Sequence, residues 1–430
     1  MDAQYEAILY DKLGPQLDAA IAGAKPGQEK LVVISGTGHG DNARGIAACQ
    51  GLRAQYGRKV HITLVATWTN TMVEPDMVAD VLQMGVIDAG ICLPIVPTEA
   101  LVAFCRDRAD CCINVRPYAA IFHYNCGPDR KDLRAQLRKQ AIADQRLKPH
   151  WFIASAHPLE NWRLKFCPMS QWDILTDTLG VPVTEADLFA PMECCEQTDA
   201  YPKPAIGGYT GMQRAMKGIK DTLYVVMHNS AGPGGGVKIA PPAVFNAMLA
   251  GLKALGVACV QVGHPGDPGI EGAIDKRGFR LPLTNHILNG SLALISSEGF
   301  LPFMAAALDK PSLVLFGPTM PHTFAMRTDG RFRIPNHNII NSVTRDDGKV
   351  GHSCPAGTCF WGGGRPHPGF RQEKWASACG WTGVRDVDGN EINTKLPYCM
   401  NFVSPLKAVE ESQRYIAAVL ADKLGVEAVA

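Results

Sequence analysis

The chain is poor in charge. Only 19% of its 430 residues are charged, and 42 lysines and arginines against 41 aspartates and glutamates leave a formal net charge of +1. A protein that works on nucleic acid or an anionic membrane surface carries a larger basic excess or a basic run, so neither partner is expected. Long apolar runs are also missing. A membrane span needs about 18 uncharged residues, and the best candidate, around Leu292 to Leu308, is interrupted by Glu298. The first thirty residues carry Asp2, Glu6, Asp11 and Asp18 and show no basic head ahead of an apolar stretch, so a secretory signal is not expected. These absences predict a cytoplasmic protein with reduced thiols. Disorder is excluded by a 46% hydrophobic content.

Cysteine, by contrast, is plentiful, with 14 residues. Cys92, Cys111, Cys112 and Cys259 lie in strand-like apolar runs and read as packing residues. Four others, treated below, do not.

Apolar β-rich runs alternate with helix-like stretches throughout, and the length suggests two or three domains. LVVISG (31–36) is followed by ARGIAACQGLRAQYG, with Ile46, Cys49, Leu52 and Ala54 near helical spacing, and then by VHITLVAT (60–67). Further strands are expected at 86–95, 111–115 and 151–155. A second series runs through 221–228, a helix starting at Pro241–Pro242, 256–263, 293–298 and 312–317. Strands separated by helices predict an α/β fold with parallel sheets. Residues 190–208, with mixed polarity and several prolines, read as a linker. The expected domains are therefore 1–195 and 196–405, followed by a C-terminal helix at 406–430. Within the second, residues 345–400 form a Cys-rich insert.

Three segments carry chemistry. SGTGHGDNARG (35–45) follows a strand and leads into a helix. Its glycines permit tight turning, and Asp41 falls at the carboxyl end of the first strand, where open α/β sheets bind ligands. Asp41 stands where a dinucleotide fingerprint requires its third glycine, and its charge would repel a pyrophosphate. A general base that takes a proton from a hydroxyl fits the position, and so does a helix N-cap. HNSAGPGGGVKIAPPAVF (228–245) places Lys238 in a glycine-rich loop ahead of a helix, a phosphate cradle or a solvated lysine. Val237 and Ile239 around Lys238 break the Walker pattern, which disfavours a P-loop nucleotidase. In ISSEGFLPFMAAALDKPSLVLFGPTMP (295–321), Glu298 ends one strand and Thr319 follows another. An acidic residue and free amides there suit ribose hydroxyls and phosphates.

These segments together resemble glycosyltransferase family 9, the heptosyltransferases. The family's strand, I-G-D and helix opening is similar to GHGDNARGIAACQGLRAQYG, and its strand–loop–lysine segment to VVMHNSAGPGGGVK. Its D-S-G-L-x-H-L-A-A-A-L-x-K-P…F-G-P-T-x-P signature matches Glu298 to Pro321 without gaps. Glu298 takes the place of the aspartate, Phe300 of the glycine and Phe303 of the histidine, which leaves a bulkier, less polar donor edge. The resemblance spans nearly the whole chain. It implies the GT-B fold, two Rossmann-like domains facing each other across a cleft. It further implies Asp41 as catalytic base, with Lys238, Glu298, Gly299, Phe300 and Thr319 on the donor. For the donor ribose Asp267 and Glu271 are the candidates. His39 and Arg116 are candidates for the acceptor, and His228, His264 and His322 flank the donor loops. No D-x-D carboxylate pair ends a strand, so no catalytic divalent cation is expected.

Cys354, Cys359, Cys379 and Cys399 lie in an irregular Gly-rich segment at spacings of four, nineteen and nineteen intervening residues. Four thiols suit a closed, structural tetrathiolate site, with two disulfides or unrelated thiols as the alternatives. Heptosyltransferase-like proteins of the autotransporter type carry comparable cysteines that bind iron, so the resemblance implies iron or zinc here.

The expected function is inverting transfer of a sugar, a heptose by resemblance, from a nucleotide-sugar donor such as ADP-heptose. The acceptor is a glycan, a lipid-linked saccharide or a protein, and a homo-oligomer remains open. Two rivals stand beside it: a non-catalytic sugar-nucleotide or glycan-binding relative, and a metal-thiolate redox protein.

Overall fold

The protein was analysed as a computed structural model. It describes residues 3–36, 38–68, 73–94, 96, 98–115, 172, 175, 176, 179, 181–192, 209–230, 239–316, 337–341 and 405–425. The chain divides into two compact units, Met1–Ala205 and Ile206–Ala430, a division that falls inside the stretch read as a linker.

In the first unit an N-terminal arm, α1 (Ala3–Ala7), a π-helical segment (Ile8–Leu13) and α2 (Gly14–Ala22), precedes the sheet. Then β1 (Glu29–Ile34), α3 (His39–Tyr56), β2 (Val60–Trp68), α4 (Val73–Gln83), β3 (Ala89–Pro94), α5 (Thr98–Arg106) and β4 (Cys111–Asn114) alternate. The strands are all parallel, in the order β3-β2-β1-β4. Parallel strands are covered on both faces, which explains why β1 reads as a continuous apolar run. Leu31, Val32, Val33 and Ile34 are all at most 1% exposed. Truncating Leu31 or Ile34 to alanine costs about 2–5 kcal/mol. The arm, which was not among the expected elements, covers one face through Ile8, Leu9, Leu13 and Leu17, packed with Val32, Ile34, Val65 and Cys112.

The second unit contains α6 (Tyr209–Met216), β5 (Tyr224–His228), α7 (Pro242–Ala254), β6 (Ala258–Gln261), β7 (Ile274–Asp275), α8 (Leu281–Gly290), β8 (Leu294–Ser297), α9 (Leu301–Ala307), β9 (Ser312–Phe316), β10 (His337–Asn341) and α10 (Pro405–Leu424). Its sheet is again parallel, ordered β10-β9-β8-β5-β6-β7. On one face Val225, Met227, Ile295 and Leu313 meet Val244, Phe245 and Met248 of α7 and Tyr415 and Ile416 of α10. Gln413 Nε2 donates to Gly251 O at 2.9 Å, tying α10 to α7. On the other face the Tyr224 hydroxyl donates to Ile287 O of α8 at 2.7 Å.

The expected α/β class, with parallel sheets in two units, is the observed one. Each sheet contains a reversal in strand order. In the first, β1, β2 and β3 step one way and β4 returns to the far side of β1. In the second, β5, β6 and β7 step one way while β8, β9 and β10 step the other. The carboxyl ends at such a reversal splay apart and leave a crevice for ligands. Those ends are β1/β4 in one unit and β5/β8 in the other. The strand expected at 151–155 lies outside the described residues.

Candidate functional site

The carboxyl end of β1 is built from small and amide side chains. Ser35 Oγ donates to Asn42 Oδ1, Asn42 Nδ2 donates to Thr67 O at 3.0 Å, and the Thr67 hydroxyl donates to Gly36 O at 2.6 Å. Ser35, Asn42 and Thr67 are buried, so this net is shielded from water and fixes the turn between β1, α3 and β2. The helix begins at His39, with Gly38 extended as its N-cap. Asp41 is therefore the third helical residue, and the N-cap alternative is corrected. An acidic side chain in the first turn still suits the positive end of the helix dipole.

Asp41 lies directly over Gly36. A Cβ built on Gly36 would stand 2.0 Å from the Asp41 Cβ and 2.7 Å from its Oδ2, so only glycine fits there. Gly38 passes 3.5 Å from the same oxygen by the same measure. The other oxygen, Oδ1, is paired with Arg44, three residues on. The Arg44 side chain is 7% exposed and that of Asp41 15%. His39, partly exposed, opens the same helix. Arg116 lies outside the described residues.

At the second reversal, β5 ends in His228 and continues into Asn229 and Ser230, all largely buried. Asn229 is 0% exposed, yet neither its Oδ1 nor its Nδ2 has a hydrogen-bond partner among the described residues. Ser297, the last residue of β8, is equally buried and its hydroxyl is also unpartnered among the described residues. His228 pairs in register with Ser296, which puts Asn229 and Ser297 side by side on the next step, on the α7 face. Buried polar groups without partners cost free energy, so the pair is an uncompensated feature of this sheet edge. The chain from Ser230 leads to α7, whose first free amide is that of Ala243 because Pro241 and Pro242 carry none. Lys238 and Thr319 lie outside the described residues.

Glu298 follows β8, is 9% exposed, and its N–H donates to Leu315 O at 2.9 Å. Gly299 and Phe300, both half-buried, lead into α9. Phe303, at the position of the family's histidine, is packed in the core at 7% exposure.

Asp267 sits in the loop after β6. Its Oδ2 accepts from His264 N at 2.7 Å and faces His228 Nε2 at 3.8 Å. Gly263, at φ +131, passes so close that a Cβ would stand 2.3 Å from the Asp267 Oδ2. One oxygen of the expected ribose ligand is thus occupied in bracing its own loop. Glu271 is exposed, its N–H donating to Asn246 Oδ1 at 3.1 Å. Burial holds the His228 imidazole in its neutral form, with a proton affinity well below that of an ordinary histidine, and outweighs the pull of Asp267.

Among the described residues no group of three or more His, Cys, Asp or Glu side chains is placed to hold a metal ion. Cys354, Cys359, Cys379 and Cys399 lie outside those residues, as does His322. Cys111, Cys112 and Cys259 are buried and Cys92 is partly exposed, as expected of packing residues. Burial raises the Cys259 thiol to about 12. No helix among the described residues is long and apolar enough to cross a membrane. The sequence pattern did not single out Arg44, Asn229 or Ser297. An i,i+3 acid–base spacing in GDNAR signals the first; polar residues at the ends of apolar strands signal the others.

No family model and no curated protein sequence matches the chain. Solved structures do resemble it. ADP-heptose LPS heptosyltransferase II from E. coli is 13% identical, over 72% of this chain and 90% of that one, with a TM-score of 0.38. A family 9 glycosyltransferase from Veillonella parvula is 15% identical, over 90% and 97%, with a TM-score of 0.48. The iron-containing dodecameric glycosyltransferase TibC from enterotoxigenic E. coli is 14% identical, over 91% and 77%, with a TM-score of 0.46. The α/β class itself stands on the two strand orders.

Proposed function

We propose that the chain is an inverting glycosyltransferase that moves a sugar from a nucleotide-sugar donor to a hydroxyl acceptor. The observation that carries it is the pair of strand-order reversals, one lined by a carboxylate over a glycine turn and the other by buried, unpartnered polar groups beside a helix start. Asp41 takes the proton of the acceptor hydroxyl as the acceptor oxygen bonds to the anomeric carbon. The bond from that carbon to the diphosphate breaks, and its electron pair leaves on the phosphate oxygen. Lys238 and the first amides of α7 take up that charge, together with Asn229 and Ser297. Glu298, Gly299, Phe300 and Thr319 line the donor, and the free oxygen of Asp267 reaches a ribose hydroxyl. His39 and Arg116 serve the acceptor.

The sequence resemblance favours a heptose carried on ADP, and a glycan, lipid-linked saccharide or protein as acceptor. Cys354, Cys359, Cys379 and Cys399 would hold iron or zinc, since four thiolates suit a closed tetrahedral site. Such a metal would cross-link the segment that carries them and leave no position open to substrate. The absence of a basic head and apolar stretch among the first thirty residues favours a cytoplasmic location.

Thermal-shift screening against ADP-, GDP- and UDP-sugars, followed by transfer assays, tests the function, because a ligand of the folded state raises its apparent stability. Asp41→Asn should abolish transfer and keep nucleotide binding. Lys238→Ala should weaken nucleotide binding by about tenfold or more. A protein that no nucleotide sugar stabilises sinks the proposal; binding without transfer or hydrolysis leaves the non-catalytic relative.

A further inference from the structure

We infer that Arg44 is the positioning residue of Asp41, holding Oδ1 so that Oδ2 is the oxygen presented to the acceptor hydroxyl. The inference rests on Asp41 as the base of the proposed transfer.

A carboxylate has two oxygens and, on a short side chain, two torsions with which to turn them. At Asp41 both are constrained, and by different means. Oδ1 is engaged by the Arg44 guanidinium, one turn further along α3 on the same face. Oδ2 lies over Gly36 and Gly38, at 2.7 and 3.5 Å from where their Cβ atoms would be, and has no hydrogen-bond partner among the described residues. The Gly36 backbone passes beneath that oxygen, and with Oδ1 held by Arg44 it is Oδ2 that is left for the acceptor hydroxyl.

Arg44 is suited to hold rather than to react. Its side chain is 7% exposed and lies within the buried stretch Asn42 to Cys49, too enclosed to follow a substrate. A guanidinium is a rigid, permanently charged fork, and it cannot exchange a proton with the carboxylate it holds. The turn beneath is equally fixed, since Ser35, Asn42 and Thr67 tie the β1 end to the α3 start. What the pair supplies is placement, because a displacement of about 1 Å can cost a hundredfold in rate.

The test is a double-mutant cycle with Arg44→Met, Arg44→Lys and Asp41→Asn, read by kcat and KM. Arg44→Met should lower kcat by about ten- to a hundredfold and leave donor KM and nucleotide affinity within about twofold. Arg44→Lys, which keeps the charge, should recover part of the loss. In the Asp41→Asn background Arg44→Met should cost nothing further. Equal losses in both backgrounds, or a loss carried by KM alone, overturn the inference. A crystal structure of Arg44→Met, or of Arg44→Lys should that variant alone fold, reads the same point without turnover. The carboxylate should rotate off Gly36 and Gly38, and one that stays overturns the positioning role even if no sugar is transferred. Absence of transfer in the wild-type protein, with the carboxylate moved in the variant, would instead count against the proposed function.

Discussion

Gly45 and Ser35 touch where α3 crosses the end of β1: a Cβ on Gly45 would stand 2.4 Å from the serine Cβ. No real pair of carbons packs so closely, so Gly45→Ala must push the helix away from the strand. The cost should be about 1–3 kcal/mol, larger than the helix-propensity gain of about 1 kcal/mol from removing a glycine. Denaturant unfolding reads this directly. Because the same helix start carries Asp41, transfer activity should fall as well. An alanine variant as stable as the parent would show that the contact relaxes freely.

Asn229 invites the opposite trade. Its amide is buried with neither polar atom partnered, so an apolar side chain of similar size removes a penalty in the free protein. Asn229→Leu should raise the melting temperature of the unliganded protein and weaken nucleotide binding by about tenfold. Calorimetric titration with ADP beside a thermal melt separates the two effects. Loss of stability with unchanged nucleotide affinity would place the amide outside the donor site.

His228 makes stability depend on pH. Its folded-state proton affinity is depressed by burial, so the unfolded chain binds the proton first as pH falls. The contribution is fully present above the ordinary histidine value of about 6.5, and it is lost as pH drops below it. His228→Gln should flatten the decline between about pH 6.5 and 4.5 by about 1 kcal/mol or more. Parallel curves for the two proteins would show that the imidazole is not the group responsible.

The four-cysteine segment makes a compositional prediction. Cys354→Ser or Cys379→Ser should lower the bound iron or zinc measured on purified protein, and should lower the melting temperature with it. Ser substitution at Cys92, a partly exposed packing thiol, should leave the metal content unchanged. Equal metal content in all three would remove the tetrathiolate assignment.

Much of the fold was legible because parallel strands, buried on both faces, leave unbroken apolar runs. LVVIS and HITLVAT stand in the sequence as the interior strands β1 and β2 do in the sheet. Pro241 and Pro242 marked the start of α7 for an equally local reason. Two short partners escaped: β7 is only Ile274–Asp275, and β10 follows a stretch without helical or strand periodicity. The helical arm ahead of β1 escaped as well, although Leu9, Leu13, Leu17 and Ile21 recur every four residues as one helix face does. At the site, the glycine turn and Asp41 were evident from residue types alone. Arg44, Asn229 and Ser297 acquire meaning only through burial and pairing, which no single-residue pattern encodes. Asp267 was chosen for its place after β6, and that place is the reason its carboxylate is drawn into bracing the loop.

The helix that closes one face of the second sheet joins it from 162 residues away, through Gln413 and Gly251. During synthesis, therefore, α7 and the strands leave the ribosome long before α10 exists to cover them. Within that interval all four cysteines of the Gly-rich segment emerge, ahead of Pro405, the first residue of the covering helix. The order of the chain exposes the thiols to the surrounding metal pool before that face of the sheet can be sealed.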